Sequence, residues 1–124
     1  MLTNEDRKYI LNQHLGTIYG ISSKEYQNRV WIRGEGPECD DFDETCCRFF
    51  DDGDPILEHY QDFGVSESQY QILKNFRDKF RMFSDNNNWP QEFINTHQWN
   101  EITEMAKEVL KAFHYSEARK TQSP

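Results

Sequence analysis

Apolar residues in this chain recur at intervals of three and four, and many of them are rings. The clearest run is Tyr70, Leu73, Phe76, Phe80 and Phe83, opened by Ser66 with Gln69 three residues on and broken by Ser84-Asp85-Asn86-Asn87-Asn88. That spacing puts the side chains on one face of an α-helix, whereas a half-buried strand alternates with period two. The Ser-x-x-Gln opening is a capping box, whose side chains satisfy N–H groups left free in the first turn. Thr3 caps a predicted helix from about Asn4 to Leu15, with Tyr9, Ile10 and Leu15 as its apolar stripe and Gly16 as its stop. Ser22 with Glu25 opens a second through Tyr26, Val30 and Trp31, and Asp41 with Glu44 a third carrying Phe42, Cys46, Phe49 and Phe50 as far as Gly53. Asp54-Pro55 then restarts a helix bearing Ile56, Leu57, Tyr60 and Phe63 up to Gly64, because proline at the first helical position forfeits no hydrogen bond. Trp89-Pro90 begins a short turn through Phe93 and Ile94. Thr96 caps a last helix striped by Trp99, Ile102, Ala106, Val109, Leu110 and Phe113.

The expected fold is therefore all-α, a single compact domain of five to seven helices over residues 1–115, with the polar residues 116–124 as a frayed tail. One segment leaves an alternative open. Arg29-Val30-Trp31-Ile32-Arg33 alternates polar and apolar, which would make the chain α+β with one short strand there. Ile, Leu, Val and Phe make up about a fifth of the chain, close to the ~20% below which a highly charged sequence tends to be disordered. Aromatic mass compensates: 9 Phe, 6 Tyr and 3 Trp bury roughly 150–250 Å² apiece.

Several function classes recede on composition. No run approaches the length of a membrane span, and Met1 to Asp6 has neither the basic nor the apolar region of a secretory signal, so a soluble, cytoplasmic protein is expected. A pI near 4.9 disfavours direct nucleic-acid binding, which depends on Lys and Arg displacing phosphate counterions. Cys39, Cys46 and Cys47 are odd in number and lack the C-x2-C spacing of a zinc knuckle, so reduced thiols with a packing role are expected.

The acids are distributed very unevenly. Residues 35–62 hold eleven of them against Arg48 alone, a local charge of -10 in a chain whose total is -8. Some stand at helix starts, where free N–H groups and the helix dipole favour carboxylates. The rest repel one another, which is a reason to look for a cation or a basic partner. A calcium loop needs oxygen ligands at alternate positions with glycine sixth; Asp51-Asp52-Gly53-Asp54 has its glycine third and Asp40-Asp41-Phe42-Asp43-Glu44 has none. His14, His59, His97 and His114 fall on separate elements without metal-ligand spacing, so no metal and no cofactor is expected. No nucleophile elbow or phosphate-binding glycine loop is present. Paired carboxylates of the glycosidase kind would arise by chance among so many acids, which leaves a small hydrolase as an alternative without a specific signal. A basic protein partner is the expectation, with Glu35, Glu38, Asp40, Asp41, Asp43, Glu44, Asp51, Asp52 and Asp54 as its candidate binding residues.

The stretch Trp31-Ile32-Arg33-Gly34-Glu35-Gly36-Pro37-Glu38-Cys39-Asp40-Asp41-Phe42-Asp43, with Trp99-Asn100-Glu101-Ile102 and Val109-Leu110-Lys111-Ala112-Phe113, resembles the small acidic bacterial immunity proteins that accompany polymorphic or contact-dependent-inhibition toxins. The likeness is one of size, acidity and texture and transfers no binding residue. It implies a cytoplasmic, non-enzymatic inhibitor that neutralises a cognate toxin, often a nuclease. A generic protein-interaction scaffold is the other reading of the same surface.

Overall fold

The structure, a computed structural model, describes residues 2–115; the expected tail at 116–124 lies outside the described residues. The chain forms six α-helices: α1 (Asn4–Ser22), α2 (Lys24–Tyr26), α3 (Phe42–Glu58), α4 (Glu67–Ser84), α5 (Pro90–Phe93) and α6 (His97–Ala112). A π-helical stretch, Gln27–Ile32, continues α2 without interruption. Among the described residues there is no strand, so the all-α reading holds and the strand at Arg29–Arg33 is corrected to a π-helix.

Four helix starts follow the caps read from the sequence. Thr3 and Ser66 each close a reciprocal capping box, with Asp6 and Gln69 as the third residues. Asp41 accepts from the Glu44 N–H at 2.8 Å, and Thr96 from the Trp99 N–H at 3.2 Å. The start of α2 is displaced by one residue. Its cap is Ser23, which accepts from the Tyr26 N–H, while Ser22 ends α1 and donates to the Tyr19 carbonyl.

Two expected stops, Gly16 and Gly53, do not stop anything. Helix α1 runs through Gly16 and Gly20 to Ser22. A Cβ on Gly20 would lie 3.3 Å from the Tyr26 ring, and one on Gly16 would lie 3.5 Å from the Tyr115 hydroxyl. Gly20 admits the Tyr26 ring close to the helix, Gly16 is in ordinary contact range of Tyr115, and the buried Ile18 and Ile21 keep the chain helical. Helix α3 likewise passes through Gly53 and Pro55 without a restart. A Cβ on Gly53 would stand 2.6 Å from Cε1 of His14, so the glycine makes room for the imidazole. Phe42, Phe49 and Ile56, seven residues apart, are all buried on one side of α3, and a break at Gly53 would lift Ile56 out of the core. Tyr9, expected on the inner face of α1, is 55% exposed.

Helix α6 is the hub, packed against both α1 and α4, and α3 in turn packs against α1 and α4. Trp99 on α6 is fully buried and meets Phe42, Phe80, Phe83, Phe93 and Trp31 at ring-centroid distances of 4.7 to 6.5 Å. Most ring pairs in this cluster are tilted or edge-on, the arrangement that the ring quadrupole favours. The indole N–H of Trp99 would be costly to bury without an acceptor. It donates to Oε1 of Gln27 at 2.9 Å, and Gln27 Nε2 in turn donates to the Gly20 and Ile21 carbonyls at 3.1 and 2.8 Å. Gln27 is itself fully buried. One side chain thus joins the last turn of α1, the start of the π-helix and the first turn of α6.

Candidate functional site

The nine acidic candidates fall into three structural groups. Four are engaged by the protein's own basic side chains. Glu38 takes a two-pronged contact from Arg29, at 2.8 and 3.0 Å, and Arg29 also reaches Glu25 at 2.9 Å. Glu35 pairs with Arg33. Asp54 on α3 receives both Nε and an η nitrogen of Arg77 on α4, at 3.1 and 3.2 Å. Asp40 faces Arg48 at 3.4 Å. Asp41 forms the second group alone, as the cap of α3. The third group is Asp43, Glu44, Asp51 and Asp52, for which no basic side chain lies within ion-pair distance among the described residues. Asp43, Glu44 and Asp51 are exposed and Asp52 is half-buried, and all four stand on α3.

Asp40 differs most from its sequence-based role. Its side chain is only 6% exposed, and donors from three elements converge on it. Tyr26 Oη donates at 2.6 Å, Trp31 Nε1 at 3.3 Å and Thr45 Oγ1 at 3.0 Å to Oδ2. The π-helix makes this possible. Bonding from residue i to i+5, as in Arg33 N–H to the Asn28 carbonyl, stacks residues five apart, which in an α-helix would diverge. Tyr26 and Trp31 are such a pair. Burial pushes the Asp40 carboxyl up, but the Tyr26 hydroxyl, the Arg48 charge and the Thr45 and Trp31 donors together hold it below the usual carboxylate range. Burial, and then the bond to Asp40, raise the Tyr26 phenol well above its ordinary value. Glu38 and Asp40 therefore fasten residues 33–41 to the π-helix and to α3. Gly36 is indispensable to that loop, since it adopts φ +97° and a Cβ there would collide with the Arg29 guanidinium.

Two concavities border α3. On one side, a cavity of about 360 Å³ opens over Asp40, Arg48, Thr45, Thr17 and Gly16, with Tyr19, Tyr26 and Tyr115 around it. On the other, a groove of about 680 Å³ runs between α3 and the end of α4. Its floor is Phe42 and Phe50, and its rim carries Asp43, Asp51, Asp85 and Trp89. Trp89 is 62% exposed, unusual for the largest side chain, and Arg81 lies 4.8 Å over the Phe50 ring while reaching Asp85 at 3.5 Å.

The cysteines are all free. Cys46 borders the groove, and burial, together with the charge of Asp43, pushes its thiol up to about 12, which keeps it protonated and poorly nucleophilic at neutral pH. Among the described residues no three His, Cys, Asp or Glu side chains converge as a metal site. Among the described residues no helix is long and apolar enough to cross a membrane. No family model, curated protein or solved structure matches the chain.

Sequence reasoning missed Gln27, Tyr26, Trp31 and Arg48 as polar anchors. Tyr26 and Trp31 carry no signal of their shared target, because a five-residue spacing has no meaning in an α-helix.

Proposed function

We propose that this chain is a non-enzymatic, acidic protein-binding module, and specifically a cytoplasmic immunity or inhibitor protein that occupies the basic cleft of a nuclease-like toxin. The single observation that carries the reading is the unpaired quartet Asp43, Glu44, Asp51 and Asp52 on one rigid helix. Like charges at this density destabilise the free protein, and a basic partner would relieve them. The adjoining groove supports the same reading. An exposed Trp89 beside acidic Asp43 and Asp51, above aromatic Phe42 and Phe50, offers a large rigid contact of the kind that dominates binding energy at interfaces. Arginine is the natural counterpart, since its guanidinium can stack on a ring and bond a carboxylate together.

The binding surface is thereby narrower than the whole acidic window. Asp40 and Asp41 belong to folding, and Glu35, Glu38 and Asp54 already have partners within the chain. The test is co-expression with a toxin encoded beside this protein's gene. The parent should restore growth, and the combined change Asp43→Asn, Glu44→Gln, Asp51→Asn and Asp52→Asn should abolish rescue while leaving the folded protein intact by circular dichroism. Rescue that survives the fourfold change, or no rescue by the parent, overturns the reading.

A further inference from the structure

The cavity over Asp40 is not explained by a protein-binding face on the opposite side of α3. It is built from α1, α2, α3 and Tyr115, and its volume of about 360 Å³ lies within the range of roughly 300–1,000 Å³ typical of small-molecule sites. Gly16 and Gly20, four residues apart on α1, present bare backbone to it between Gln13, Thr17 and Tyr19. At the base sits the Asp40 carboxylate, held by three neutral donors. Tyr26 and Trp31 donate to Oδ2, and the Thr45 hydroxyl lies 3.0 Å from Oδ2 and 3.1 Å from Oδ1.

Arg48 is in the reverse condition. Its Nε donates to Thr17 Oγ1 at 3.2 Å, which fixes the plane of the guanidinium, but its η nitrogens reach Asp40 only at 3.4 and 3.5 Å, the outer limit of a hydrogen bond. Its side chain is 43% exposed. Five N–H donors are thus held by one good acceptor and two marginal ones. Because Asp40 keeps its three neutral donors, Arg48 can turn its fork to an incoming anion without leaving that carboxylate bare of hydrogen bonds. We propose that this cavity binds a small organic carboxylate, its oxygens on the Arg48 η nitrogens and its body in the space lined by Tyr19, Tyr26 and Tyr115. A monoanion suits the site better than phosphate, since Asp40 already places one negative charge beside the guanidinium and a second on the ligand would add repulsion. The parallel two-oxygen geometry of a carboxylate also matches the guanidinium fork.

Sodium benzoate is the probe, with benzyl alcohol as its uncharged counterpart and inorganic phosphate as the competing anion, each titrated into the full chain by ¹H–¹⁵N NMR. Benzoate should shift the Thr17 and Thr45 amides and the Arg48 Nε–H saturably, at least tenfold more tightly than either control, a gap of about 1.4 kcal/mol. Arg48→Gln should weaken benzoate at least tenfold, Arg48→Lys by less, and Arg81→Gln, in the groove on the other side of α3, not at all. Arg48→Gln should stay folded because Asp40 retains its neutral donors, and Arg48→Lys keeps the charge if it does not. Absence of saturable shifts, shifts centred on Lys107 and Lys111, phosphate binding as tightly as benzoate, or equal affinity in Arg48→Gln each overturn the assignment.

Discussion

Replacing Gly53 with alanine should destabilise the protein, although alanine is the better helix former. Gly53 lies inside α3, and on propensity alone the exchange would stabilise the folded state by about 0.8–1 kcal/mol. The packing term has the opposite sign. The new methyl would stand 2.6 Å from Cε1 and 2.8 Å from Nε2 of His14, against the roughly 3.5–4.0 Å at which carbon atoms attract one another. The imidazole has nowhere to go, being 1% exposed and held 5.0 Å from the Phe49 ring. Forcing one extra carbon into such a site typically costs about 1–3 kcal/mol, and at this separation the upper half of that range applies. The difference is a net loss of about 1–2 kcal/mol, read as a lower urea midpoint at unchanged slope. Removing the obstruction should reverse the sign. In a His14→Ala background, Gly53→Ala should be neutral or stabilising by up to about 1 kcal/mol, because only propensity remains. If Gly53→Ala raises the midpoint in the parent protein, α1 and α3 are not packed through this glycine and the account of why α3 continues past it fails.

The same imidazole sets a pH dependence. Burial pushes His14 down to about 4, with Asp54 opposing weakly, whereas in the unfolded chain it titrates near ~6.5. Between those values the unfolded state binds a proton that the folded state refuses, so this contribution is complete above pH ~6.5 and is lost as pH falls towards 4, at most ~3 kcal/mol. The parent's stability loss from pH 7 to 4.5 should exceed that of His14→Phe, and equal losses would exclude His14 as the source. Gln27→Leu should cost at least ~2 kcal/mol in urea unfolding, since it orphans the buried Trp99 N–H; a near-neutral result would mean the indole finds another acceptor. Asp41→Ala should lower stability by about 1 kcal/mol and Asp41→Asn by only a few tenths, because asparagine caps nearly as well. Equal losses would show that charge, not the cap, matters there.

Helix existence was legible because rings and caps are local signals. Ser66 with Gln69, Asp41 and Thr96 act within one turn of themselves, and the stripe from Tyr70 to Phe83 needs no knowledge of the rest of the chain. The errors fall where a residue's role depends on something distant in sequence. Gly16 and Gly53 read as stops because glycine often ends helices, but buried residues beyond each keep the chain helical, and Gly53 accommodates the ring of His14, supplied from another helix. The acidic window was legible as a charge excess and illegible as a set of roles. Asp40 and Asp43 are both aspartates, three residues apart, and only the arrival of Tyr26, Trp31 and Thr45 around one of them separates an internal anchor from a surface charge.

Under the proposed binding role, that division determines how the charge would act on a partner. An acid already paired with its own arginine, such as Glu38 or Asp54, contributes little field beyond the Debye length of about 8 Å at physiological salt, because its partner cancels it at short range. The quartet on α3 has no such cancellation, so among the nine candidate acids any long-range steering would come mainly from Asp43, Glu44, Asp51 and Asp52. The paired acids act differently. By fastening residues 33–41 to the π-helix and α3 to α4, they hold the helix that carries the quartet in one orientation. Loosening a pair, for example with Arg77→Gln, would leave salt-dependent encounter nearly unchanged and raise the dissociation rate, whereas neutralising the quartet would slow encounter. The two classes of acid are thus separable by kinetics, even though the sequence presents them as one run.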